Sequence, residues 1–276
     1  MNEWFFRIWI QLTKNPVYKA FIRRAVFTLI FVGVLAGVAL YATRDKNKKQ
    51  LANRKEVSRT RSDGSLMSSY DYAFLANDPE SYRAAYFDSE VAQDNGDSFP
   101  EAAIKLDKRI KIARKFSEVA VKDGHKHLAA KLLLTDQIFR EKLSLQNDAV
   151  DYSGAEELIS TAKKMQNSED AETKELAAVG RVYGAIRKFS ELTDPDKRKA
   201  DLPNVAATIS EQSGKFQDSR LVSKQLFRLM EFTWLEFPQE EAVTFAEAYC
   251  EGFRESRYEW TIDSVKKMRK TIASTK

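Results

Sequence analysis

The sequence predicts an all-α chain in which one N-terminal transmembrane helix precedes a domain of helical hairpins. Three observations lead there. Residues 25–42 read AVFTLIFVGVLAGVALYA, without one charged side chain. From residue 100 onward apolar residues recur at spacings of three and four, the period of an amphipathic helix rather than a strand. Gly and Pro number only ten and six in 276 residues, too few for the frequent turns of a sandwich or barrel.

Residues 1–20 form an aromatic-rich tail with Trp4, Phe5, Phe6 and Trp9, interrupted by Arg7 and closed by Pro16. Trp favours headgroup depth and Pro ends a helix, so an amphipathic segment lying in the interface is expected, anchored by Trp4 and Trp9. A segment that docks on another membrane subunit is the competing interpretation. The transmembrane helix is placed at 21–43. With its flanks the apolar run reaches the roughly 20 residues that span a bilayer core, and Arg23, Arg24, Arg44 and Lys46 bracket it. A cleaved signal peptide fits less well, because the apolar run starts late and ends among lysines. Gly33 and Gly37 make a GxxxG face, where small residues let a second helix approach closely. A homodimer or docking contact through this face is therefore expected.

Residues 44–65 read as a basic juxtamembrane stalk and linker ending in Ser62-Asp63-Gly64-Ser65. Residues 1–63 hold thirteen basic against four acidic side chains, while the remaining 213 residues hold 32 against 36. The basic excess therefore sits beside the membrane, where anionic lipid headgroups are its natural partner. A mildly acidic folded domain argues against nucleic acid. Five basic residues precede the apolar run and eight follow within 43–62. Taken literally that count favours a cytoplasmic domain, but long domains translocate largely regardless of charge. The Arg-Arg start of the run suits an N-in anchor, which places the domain outside the cytoplasm of a bacterial inner membrane.

The all-helical domain is expected over 66–276. Two short helices fall within 66–98, with Asn77-Asp78-Pro79-Glu80 as the cap and first turn of the second. Longer helices follow from Pro100, including segments near 205–213, 219–237, 240–253 and 259–271. Paired end to end they make hairpins near 101–145, 153–191, 203–237 and 239–272. With Ala246 and Tyr249 in TFAEAYCEGF, and Pro238 after a helix, this plan resembles tetratricopeptide-like α-solenoids. It is similar to bacterial single-pass proteins carrying such a domain, among them the ancillary subunit of the Sec translocon. The W-x2-L-G-x2-Y pattern is not present, so the resemblance implies a fold and an interaction role, and assigns no site residue. Residues 150–272 also loosely resemble helical regions that precede thioredoxin-like modules in some envelope proteins, although no CxxC follows.

Chemistry-bearing motifs are sparse. His125 and His127 are the only histidines and Cys250 is the only cysteine. Residues two apart on a helix point away from each other, so this HxH pair is a poor metal site. There is no P-loop, no G-x-G-x-x-G and no G-x-S-x-G. No catalytic residue, metal or cofactor is expected. Aromatic residues crowd the last seventy positions. They read either as a C-terminal core or as a groove for a partner peptide, with Trp234, Phe245, Tyr249 and Trp260 as its candidates. The function expected is a non-catalytic scaffold or accessory subunit that binds other membrane or envelope proteins. An integral subunit of one large complex, or a membrane enzyme with an unrecognised site, are the alternatives.

Overall fold

Capping chemistry sets where the helices begin. Ser68 accepts from the backbone N–H of Asp71 at 3.1 Å and opens α1, Ser69–Ala76. Asn77 turns the chain with a left-handed φ of 49°, a conformation its short polar side chain tolerates. Asp78 then caps α2, Pro79–Asp88, with Pro79 in the first turn where its missing N–H costs nothing. A reciprocal Ser98/Glu101 capping box opens α3, Phe99–Val119. After α4, Asp123–Gln146, a 3-10 turn at Val150–Tyr152 leads to α5, Ala155–Met165. Asp170 caps α6, Ala171–Ser190, Asp194 caps α7, Pro195–Lys215, and Ser219 caps α8, Arg220–Glu236. The chain closes with α9, Gln239–Gly252, and α10, Glu259–Ala273.

This computed structural model describes residues 66–91 and 97–275, and among them there are ten α-helices and no strand. They belong to a unit spanning Arg59–Lys276. No helix among the described residues is long and apolar enough to cross a membrane. The expected transmembrane helix at 21–43, the tail with Trp4 and Trp9, the Gly33/Gly37 face and the stalk at 44–65 all lie outside the described residues.

The helix expected at 205–213 is longer than the periodicity suggests. Asp194 and Pro195 are its cap and first residue, and the helix runs on through Pro203. Asp194 Oδ1 accepts from the backbone N–H groups of both Asp196 and Lys197, so the start is fixed despite the internal proline.

The apolar side chains fall into two clusters. One joins α1 to α4 around Tyr82, Tyr86, Leu106, Ile110, Phe116 and Leu133. The other runs from α4 to α10 around Leu158, Phe189, Leu226, Phe245, Tyr249 and Met268. Helix α4 serves both: Leu133 packs in the first and Leu134 in the second, because neighbours on a helix point about 100° apart. Helix α6 lies against α4, α5, α7 and α8 and is apolar over most of its circumference, as a central helix must be. α3 with α4, α5 with α6 and α9 with α10 pack as hairpins. In the segment near 203–237, α7 packs most closely on α9 and α6, and α8 on α6, α9 and α10.

Candidate functional site

The four aromatic residues expected to line a groove do not share one open surface. Phe245 and Tyr249 have no exposed area at all. Phe245 meets Phe189 edge-on at 5.5 Å and Phe237 at 5.9 Å, and Tyr249 packs on Phe253 at 4.9 Å. Burial drives the Tyr249 phenol well above its usual range. Trp234 and Trp260 are half-buried against the same cluster, Trp260 standing edge-on to Phe227 at 5.7 Å. Phe245 and Tyr249 are thus core residues, the other interpretation the sequence allowed.

Two adjoining concavities instead open along the α4, α6 and α8 surface. The larger, about 270 Å³, is bordered by Leu145 at the end of α4, Arg187 and Ser190 on α6, Arg198 on α7, and Phe232 and Phe237. Asp148 and Glu236 also border it. The smaller, about 130 Å³, shares Leu145 and Phe232 and adds Lys142, Tyr183, Arg228 and Leu229. Helical spacing builds this wall. Tyr183 and Arg187 are four apart on α6, and Arg228, Phe232 and Glu236 are four apart on α8, so each set lies on one face. Phe232 and Phe237 belong to the aromatic crowd evident in the sequence. Their association with Leu145 and Arg187 is not, because those residues stand on other helices.

The polar groups here have unequal partners. Arg198 is gripped by both carboxylate oxygens of Glu241, with Nε at 2.9 Å, and lies 4.7 Å over the Phe189 ring. Arg187 is 1% exposed. Its Nη1 donates to Ser190 Oγ at 3.0 Å, and its Nε is 3.6 Å from Glu191 Oε1, an ion pair without a hydrogen bond. Its Nη2 has no hydrogen-bond partner. The Ser190 hydroxyl in turn donates to the Arg187 carbonyl at 2.6 Å, so its proton is committed to backbone. Burial pushes the Tyr183 phenol up to about 12.

Other buried charges are structural. Tyr86 donates to Asp136 at 2.7 Å, and Arg109 bonds both. Arg140 donates to Glu141 at 3.1 Å, to Glu157 at 3.1 Å and to the Gly154 carbonyl, tying α4 to the start of α5. His125 leans on Phe116 and His127 stands by Ser168, both on the first turns of α4. Among the described residues no group of three or more His, Cys, Asp or Glu is placed to hold a metal. Compared with known proteins, the chain matches no family model, no curated protein and no solved structure.

Proposed function

We propose that this chain is a non-catalytic, membrane-anchored interaction protein whose helical domain holds a segment of a partner protein along the α4–α6–α8 face. The observation behind this is the pair of concavities joined by Leu145 and Phe232. They combine aliphatic and aromatic side chains, Leu145, Tyr183, Leu229, Phe232 and Phe237, with a majority of charged and polar ones, Arg187 and Arg228 among them, and aromatic and Arg side chains are enriched where proteins meet. Binding rather than chemistry suits the groups present: Ser190 Oγ is spent on backbone, and neither histidine borders either concavity. The apolar run at 25–42 supplies the anchor and the basic stalk its lipid contact. The N-in orientation places the domain outside the cytoplasm of a bacterial inner membrane, where other envelope proteins are the partners.

The test is site-specific photo-crosslinking in the full-length membrane protein. A photoreactive phenylalanine at Phe232 should give discrete protein adducts that Leu145→Arg abolishes. The same group at Val121, which is 80% exposed and remote from the groove in sequence, should give none. Equal labelling at the two positions would remove the support for this site.

A further inference from the structure

The chemistry of the groove selects its occupant. Arginine carries five N–H donors, yet Arg187 has one hydrogen-bonded partner, Ser190, and a loose ion pair to Glu191. A guanidinium buried to 1% exposure normally satisfies more of its donors than this. Arg187 lies on the wall of the larger concavity, beside Phe232 and Phe237. The smaller concavity adds Lys142 and Arg228 and no carboxylate. Arg228 is exposed, and no ion pair with a described carboxylate holds it. Cationic and aromatic groups thus border both concavities, which share Leu145 and Phe232.

We propose, resting on the interaction reading above, that the groove binds an acidic peptide segment of a partner protein. One carboxylate of the segment pairs with Arg187, a second lies toward Arg228, and an apolar side chain sits between them against Leu145 and Phe232. A planar carboxylate matches the guanidinium fork. Nucleic acid is a poorer fit, because residues 64–276 hold 36 acidic against 32 basic side chains. Asp148 and Glu236 border the larger concavity too. They repel a carboxylate at the rim, and they are also the groups a basic segment would use. That opposition makes the proposal decidable.

The experiment measures fluorescence anisotropy of labelled twelve-residue peptides on the full-length chain in mild detergent. Three series share Leu and Phe positions and carry Glu, Gln or Lys between them. The Glu series should bind about tenfold more tightly than the others and weaken as salt is raised. R228Q, at an exposed position, should cut its affinity about fivefold. R187Q should do at least as much, with a melting curve to confirm that it folds. The double variant D148N/E236Q should tighten it. Preference for the Lys series, or weakening by D148N/E236Q, would show that the rim carboxylates choose the ligand. Equal binding of all three would show that the apolar side chains alone do. Displacement of the Glu peptide by phosphatidylglycerol vesicles but not by neutral ones would point to lipid instead. Each of these overturns the acidic-peptide proposal while leaving the groove in use. Failure of every series also overturns it, and failure together with loss of the Phe232 crosslink overturns the interaction site as well.

Discussion

Asp136 is kept buried by two donors, and its pH behaviour follows from them. The carboxylate is 4% exposed and accepts from Tyr86 and Arg109. Burial raises its pKa above the usual range, while Arg109 and the Tyr86 hydrogen bond pull it back. R109M removes the cation and leaves a buried carboxylate, a loss of about 3 kcal/mol at neutral pH. The sign on acidification is determined. Without Arg109 the folded-state pKa of Asp136 rises further, so the folded protein takes up a proton before the unfolded chain does. Stability then rises as pH falls through that window, and the gap to wild type narrows. Urea melts of both proteins at neutral and mildly acidic pH measure it, and a gap that widens on acidification contradicts this account. Cys250 gives a second residue-level expectation. It is 4% exposed, and burial lifts its thiol to about 11, so it should stay unlabelled by maleimide in the native protein and react only on unfolding.

At the scale of elements, small residues decide which helices touch. On α6, Gly180-Arg-Val-Tyr-Gly184 is a GxxxG at the crossing with α5. A methyl at Gly184 would lie 2.6 Å from Ile159 Cγ1 and 3.2 Å from the Ala155 carbonyl. The α7–α9 crossing is tighter still. A methyl at Gly252 would lie 2.4 Å from Ser213 Cβ and 2.7 Å from the Ser210 carbonyl oxygen, whereas at Gly214 the nearest atom is 3.8 Å away. G252A should therefore cost about 2 kcal/mol through forced displacement of backbone. G214A should be neutral or stabilising by up to about 1 kcal/mol, since Ala is the better helix former. Paired denaturant melts decide this, and equal effects would mean that the crossing relaxes freely. The GxxxG signal at Gly33/Gly37 and the one at Gly180/Gly184 look alike in sequence, yet the second serves packing inside the domain.

At the scale of the molecule, α4 couples two apolar clusters that would otherwise be separate. Residues 66–275 alone should be predominantly helical by circular dichroism and unfold in one transition, because neither cluster can open without stripping a face of α4. Trp234 and Trp260 are the only tryptophans in that span and both pack on the second cluster. Tryptophan fluorescence thus reports one cluster and far-UV dichroism both. Transitions that separate by more than a few degrees would show the clusters to be independent. The proposed membrane orientation is tested in the whole chain. Ser65→Cys should react with an impermeant maleimide in intact spheroplasts, with buried Cys250 silent, and protection until lysis would place the domain in the cytoplasm.

The sequence by itself determined what local rules can determine. Periodicity of three and four marked α3 to α10 as helices, and Asn77-Asp78-Pro79 marked a helix junction, because these signals need only neighbours along the chain. The charge-free run at 25–42 likewise predicts an anchor from hydropathy alone. The extent of α7 was less legible, since the cap at Asp194 and the proline at 203 give opposite local cues. Only tertiary structure decided that Phe245 and Tyr249 are core while Phe232 borders a groove. All three belong to the aromatic crowd of the last seventy positions, and exposure depends on which helix lies opposite. The same reason hid Arg187: a charged residue at a helical position reads as solvent-facing until α4 and α8 close over it.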